Sequence, residues 1–151
     1  MSRERFTSFV LLIERISKNI KRIADTEMAP YGLRSSHVMC IMQLAKSDGG
    51  LSSTALAEIC GVDKAFISRI TRELVEKNYI KQEDNPTGTY KTKFVLTEAG
   101  EGINKIMIQI VKDRIDHVDS FVSTKKLEIF YDVLSGLDKG VSDLVNKKES
   151  N

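Results

Sequence analysis

The sequence predicts a mainly α-helical chain with one small β-hairpin, and three observations carry that prediction. Apolar residues near both ends recur at alternating spacings of three and four, the signature of long amphipathic helices. Two shorter helical blocks in the middle meet at a glycine. Around residue 80 the pattern changes to strand-like composition on either side of a cluster of turn formers.

From the N-terminus, Phe6, Phe9, Ile13, Ile16, Ile20 and Ile23 fall on one stripe of a helix of about six turns. Pro30 ends it, because proline has no N–H for the helical ladder. Residues 35–46 read as a second helix with Val38, Ile41, Met42 and Ala45 inward, stopped by Gly49-Gly50. Ser52-Ser53-Thr54 then offers capping hydroxyls to a short helix through Cys60, and Gly61 supplies a tight turn. Asp63 caps the next helix, from about Lys64 to Lys77, with Ile67, Ile70 and Leu74 inward.

Tyr79–Glu83 and Lys91–Leu96 have strand composition and flank Asp84-Asn85-Pro86-Thr87-Gly88, whose residue types favour turns. Ile103, Ile106, Ile110, His117 and Phe121 trace a further helix, and Leu127, Phe130, Leu134, Leu137, Val141 and Leu144 a last one. Lys147-Lys148-Glu149-Ser150-Asn151 is polar throughout and is expected to be disordered.

Helix, glycine turn, helix, hairpin is the order of a winged helix-turn-helix, with the hairpin as wing. The expected fold is therefore mainly α with a small β-hairpin wing. Residues 33–97 form the winged domain, and 1–32 and 98–147 form long N- and C-terminal dimerisation helices. The seams on those helices are longer than the central domain can cover, so packing them together across two subunits is the expected solution, giving a homodimer.

Composition narrows the function. The 23 basic and 21 acidic residues leave a net charge of +2, so the total expresses no preference for a polyanion and the distribution must decide. Residues 3–22 hold six basic and two acidic side chains, 63–93 hold seven and five, and 98–149 hold eight and ten, which makes the C-terminal third a poor surface for nucleic acid. The apolar runs fall far short of the roughly 20 residues that span a bilayer, and no signal-peptide core is present, so no membrane partner and a cytoplasmic location are expected. Cys40, Cys60 and the two histidines show no ligand spacing, and the chain has no nucleophile elbow, phosphate loop or zinc-protease motif. No metal, no cofactor and no enzymatic activity are expected.

A helix fits the major groove of double-stranded DNA and reads base edges from its N-terminal half. With Ile67, Ile70 and Leu74 inward, the helix after Gly61 turns Lys64, Ala65, Ser68, Arg69 and Arg72 outward. Arg69 suits a bidentate contact to guanine, Ser68 a base or phosphate, Ala65 a thymine methyl, and Lys64 and Arg72 phosphates. Phe66 flanks the buried stripe, where packing is the expected role. Lys91 and Lys93 share a face of the second wing strand, either as phosphate contacts or as edge-strand lysines that oppose aggregation. The hydroxyls of Ser35, Ser36, Ser53 and Thr54 stand at helix starts, as phosphate ligands or as simple caps.

In Leu56-Ala57-Glu58, Gly61-Val62, Ile67-Ser68-Arg69-Ile70-Thr71-Arg72-Glu73-Leu74 with Lys77, and Leu96-Thr97-Glu98-Ala99-Gly100, the sequence resembles the MarR family of bacterial transcriptional regulators. The resemblance is strongest from Leu33 to Gly100. It implies a homodimer with interlocked terminal helices, in which each winged domain reads half of a pseudo-palindromic operator, and a DNA-binding regulator that represses. One departure stands out: where the family carries a wing-tip arginine, this chain has Gly88-Thr89-Tyr90, which shifts the expected specificity toward the recognition helix.

The resemblance also implies a small aromatic or phenolic effector bound between the dimer helices and the winged domain. Tyr31, Arg34 and His37 lie near that joint and combine an aromatic, a cation and a titratable group, although a structural role is the expected one. His117 falls on a seam position and reads as an interface residue. Cys40 and Cys60 sit in apolar stretches and read as small core residues, with a redox-sensing regulator as the alternative. A winged helix used only as a protein-interaction adaptor is the other alternative, and the basic face of residues 64–72 weighs against it.

Overall fold

A computed structural model describes residues 2–83, 92–119 and 123–149 of the chain. The chain divides into two compact units, Met1–Ile108 and Gln109–Asn151.

The first unit opens with α1 (Arg3–Met28), capped by the Ser2 hydroxyl, which accepts from the Arg5 amide at 3.3 Å. Along α1 the stripe expected to be apolar is open: Phe6, Ile16, Ile20 and Ile23 are exposed, and Phe9 and Ile13 are half-buried. Pro30 sits in a single 3-10 turn, Ala29–Tyr31, that closes the helix. The amide of Leu33 then bonds back to the Met28 carbonyl at 3.1 Å, and both side chains are buried at the corner.

The second helix, α2, spans Ser35–Lys46, as its pattern predicts, but its buried face is rolled by one residue. His37, Cys40, Ile41 and Leu44 are buried, whereas Val38, Met42 and Ala45 are half-buried. Apolar periodicity could not see this, because the residue that leads the buried face is a histidine held inward by polar partners described below.

Leu51–Ser52 form a short strand, β1, that the sequence reading left out. Two residues are too few to show alternation; the pairing with a distant strand creates the element. The helices α3 (Ser53–Cys60) and α4 (Lys64–Glu76) follow, then β2 (Ile80–Glu83) and β3 (Lys93–Leu96). The sheet has the order β1-β3-β2 and is antiparallel throughout, with Leu51 opposite Phe94, Ile80 opposite Leu96 and Glu83 opposite Lys93. The wing is thus part of a three-stranded sheet rather than a free hairpin, and the expected turn at residues 84–88 lies outside the described residues.

The core of this unit sits where α2, α3 and α4 meet the sheet. Cys40, Ile41, Leu56, Ile67 and Leu74 are 0% exposed, and Ile70 and Ile80 are 1% exposed. Each full burial of such an aliphatic side chain stabilises the fold by about 1.5–3 kcal/mol. Helix α4 is therefore anchored along its whole inward stripe.

Helix α5 (Glu98–Asp119) begins where Thr97 takes the capping position: its hydroxyl accepts from the Gly100 amide at 3.1 Å. Gly100 is buried against the Tyr79 carbonyl, and a Cβ at that position would collide with the carbonyl oxygen. The Leu96-Thr97-Glu98-Ala99-Gly100 motif thus joins sheet to helix by one cap and one close backbone approach. Ile103 and Met107 continue the buried side of α5.

In the second unit, α6 spans Thr124–Glu149. Lys147-Lys148-Glu149 are helical rather than disordered, a correction to the sequence reading: lysine and glutamate are good helix formers, and propagating an existing helix is far easier than starting one. Phe121, and the side chain of His117, lie outside the described residues. Among the described residues no helix is long and apolar enough to cross a membrane.

Candidate nucleic-acid interface

The turn between α3 and α4 is built by local rules. Gly61 adopts a left-handed conformation with φ of 64°. Its amide bonds to the Glu58 carbonyl at 3.2 Å and the Val62 amide to Ala57 at 3.1 Å, a two-bond helix stop that a Cβ would strain. Two residues later the Asp63 carboxylate accepts from the Phe66 amide at 2.7 Å and starts α4. The two helices are thereby fixed in direction within three residues of backbone, Gly61 to Asp63.

On α4 the division into faces is clean. Ile67, Ile70, Thr71 and Leu74 are buried, while Lys64, Ala65, Ser68, Arg69 and Arg72 are all exposed. The sequence reading missed only Thr71 on the inward side, whose hydroxyl is satisfied by the Ile67 carbonyl at 3.0 Å, so that the position tolerates a polar residue. Phe66 is half-buried, and the Arg69 guanidinium lies over its ring at 5.2 Å from the centroid. That cation–π contact restrains a long side chain without consuming its hydrogen-bond donors. Every charged residue from Lys64 to Arg72 is a cation, so the exposed half-helix presents donors and positive charge to solvent.

The outlying positions are less uniform. Ser52, rather than Ser53 or Thr54, caps α3, its hydroxyl accepting from the Ala55 amide at 3.2 Å, and Ser53 and Thr54 are half-buried just inside the helix. At the start of α2 the Ser35 amide is already held by the Asp25 carboxylate at 2.6 Å, and Ser36 is half-buried beside it. A phosphate at that helix start would have to displace a carboxylate. Lys93 is half-buried in β3, with Ser52 and Glu83 as its cross-strand partners. Lys91 and the tip residues Gly88-Thr89-Tyr90 lie outside the described residues.

Of Tyr31, Arg34 and His37, the last two join the start of α2 to Glu73 of α4, and Tyr31 meets Tyr79 beyond that helix. His37 is 1% exposed and both ring nitrogens are engaged: Nδ1 accepts from the Arg34 amide at 3.0 Å, and Nε2 lies 2.9 Å from Glu73 Oε2. Because Nδ1 faces a backbone N–H it must be the acceptor, so the neutral ring carries its proton on Nε2 and donates it to Glu73. The Arg34 guanidinium donates to the same Glu73 oxygen at 2.9 Å. Burial lowers the His37 pKa below its ordinary value, outweighing the Glu73 carboxylate beside it. Partial burial raises Glu73, but hydrogen bonds from His37 and Arg34 bring its carboxyl below the usual range, so it is ionised at neutral pH. Tyr31 is exposed, and its carbonyl accepts from the Tyr79 hydroxyl at 3.2 Å. The identity of Glu73 as partner of residues 34 and 37 depends on a fold contact that no local spacing announces.

Cys40 is buried and Cys60 half-buried, both as free thiols. Burial, with the neighbouring Cys60 sulfur adding to it, pushes the Cys40 thiol up to about 12, and burial likewise raises Cys60. Among the described residues no cluster of three or more metal-ligating side chains occurs.

Comparison with known proteins gives a consistent result. The model of the MarR family matches residues 31–88. Among curated proteins, no sequence matches the chain. Solved structures that the chain resembles include a MarR/EmrR family transcriptional regulator from Acinetobacter sp. ADP1, with a TM-score of 0.81 at 19% identity over 95% of this chain and 99% of that one. A MarR transcriptional regulator from Methanosarcina mazei Go1 gives 0.77 at 20% identity over 90% and 98%. The S. aureus MepR–DNA complex gives 0.73 at 20% identity over 90% and 97%. Residues 31–88 thus match the model of the MarR family, and the chain takes the fold of that family's solved regulators.

Proposed function

We propose that this protein is a sequence-specific, double-stranded-DNA-binding transcriptional regulator of the cytoplasm, acting as a homodimer on a pseudo-palindromic operator. The observation that carries this reading is the exposed face of α4, where Lys64, Ala65, Ser68, Arg69 and Arg72 stand together over a fully anchored inward stripe. Arg69 reads a base edge, Ser68 and Ala65 complete the contact, and Lys64 and Arg72 neutralise phosphates. Lys93 on the wing, with Ser36, Ser53 and Thr54 at the helix starts, contributes at most backbone contacts. The similarity to a structure described as a MepR–DNA complex supports the same reading.

Dimerisation is supported by the open stripe on α1, where Ile16 is 49% and Ile20 60% exposed, more apolar surface than a solvated helix carries without a partner. Repression by occluding a promoter is the proposed outcome, relieved when a small aromatic effector changes the separation of the two recognition helices. Both cysteines hold their protons at neutral pH, which weighs against the redox-sensing alternative.

The test is selection of genomic fragments by the purified protein, followed by titration of the best site at two salt concentrations. A pseudo-palindromic site whose affinity falls steeply with salt is expected. Weak, sequence-independent binding would overturn the reading in favour of a protein-interaction adaptor.

A further inference from the structure

Glu73 stands four residues after Arg69 on α4, the spacing at which a carboxylate and a guanidinium on one helix become neighbours. Left to itself, such a pair neutralises the arginine and occupies its donors, which is the opposite of what base recognition requires. In the structure this does not occur: Oε2 of Glu73 is taken by His37 Nε2 and by the Arg34 guanidinium, both at 2.9 Å, while Arg69 lies over Phe66. Both partners come from the first turn of α2 and the residue before it. The His37 ring and the backbone at the start of α2 are fixed independently of Glu73, since the ring accepts from the Arg34 amide and the Ser35 amide is held by Asp25 of α1.

We propose that Arg34 and His37 are positioning residues that sequester the Glu73 carboxylate away from Arg69, so that the recognition helix offers Arg69 to DNA as an unpaired cation. Neither residue needs to touch the operator. This rests on the DNA-binding reading above and adds a specific division of labour to it: Arg34, an exposed cation close to the interface, acts on a carboxylate of its own chain and not on phosphate.

Two readings of Arg34 then give opposite results in a double-mutant cycle. Removing Arg34 releases one of the two groups that hold Glu73, so Arg34→Ala is expected to weaken operator binding on the order of tenfold, the scale of one compromised arginine–base contact. Neutralising the released carboxylate in Arg34→Ala/Glu73→Gln is expected to restore affinity to within about twofold of wild type, because a glutamine does not compete for Arg69. Fluorescence titration of the selected operator at fixed salt reads both, with circular dichroism at the same temperature to establish that each variant is folded. Arg34→Lys, which retains a cation but not the guanidinium geometry, serves as a second folded variant and is expected to lose less than Arg34→Ala. A double variant that remains as weak as Arg34→Ala, or an Arg34→Ala that binds like wild type, overturns the inference while leaving the proposed function in place. Failure of the wild-type protein to bind any DNA overturns the proposed function and this inference together.

Discussion

Arg69 concentrates the chemistry of the exposed helix face at one side chain. It is exposed, its charge is permanent and its ring contact with Phe66 limits the conformations it must give up on binding. Arg69→Ala is expected to cost about 1–3 kcal/mol at one base pair of the operator and to relax the preference there, measured by titrating variant sites. Lys64→Ala, by contrast, should weaken all sequences alike and reduce the salt dependence. The cysteines illustrate the reverse case, residues reactive in principle and silenced by burial. With the Cys40 thiol pushed up to about 12, native protein at pH 8 is expected to leave Cys40 unlabelled by iodoacetamide, whereas denatured protein labels both thiols. Rapid native labelling of Cys40, read by mass spectrometry, would contradict this. Gly100 shows how a single missing carbon holds two elements together: Gly100→Ala forces the backbone off the Tyr79 carbonyl and is expected to destabilise the fold by about 1–3 kcal/mol in urea denaturation.

Among the elements, the start of α2 carries a titratable group whose burial couples stability to pH. His37 is held neutral in the folded state with a pKa below its ordinary value of 6.5, so the folded protein binds fewer protons there than the unfolded chain does. The associated stability is fully present above pH 6.5 and is lost as pH falls from 6.5 toward the lowered folded-state value. Glu73, whose pKa is also lowered, acts in the same direction over a more acidic window, below its ordinary 4.5. Thermal midpoints of the wild-type protein are therefore expected to fall between pH 7 and 5.5. His37→Gln retains an acceptor for the Arg34 amide but cannot titrate, and its midpoint should change much less over that range. Equal slopes for the two proteins would show that His37 is not the group responsible.

At the scale of the whole molecule, the open apolar stripe of α1 is the feature that a lone chain leaves unresolved. Phe6, Ile16, Ile20 and Ile23 are each about half exposed, at 48%, 49%, 60% and 48%. Ile16→Glu/Ile20→Glu places two charges on that stripe, and sedimentation is expected to show a monomer for the variant and the proposed dimer for the wild type. The winged unit, whose core lies in α2, α3, α4 and the sheet, should remain folded by circular dichroism. Operator affinity should then fall by at least tenfold, because half of a two-fold site contributes only part of the binding free energy. An unchanged oligomeric state would remove α1 from the interface.

Much of this was legible in the residues alone, and the reason is local physics. Gly61 and Asp63 specify a helix stop and a helix start by backbone conformation and capping, each acting over a few residues, so α3, the turn and α4 were readable without a fold. The inward stripe of α4 was readable because its anchors are aliphatic and helically spaced, and the outward set followed by exclusion. Tertiary structure decided what depends on distant partners. The strand β1 exists because Leu51 and Ser52 pair with β3, and α2 is rolled by one residue because His37 is drawn inward to a carboxylate 36 positions later in sequence. The partners of Glu73 become visible only once α2 is placed against α4. Periodicity records which side chains avoid water; which polar groups satisfy one another is settled only when the chain brings them within hydrogen-bonding distance.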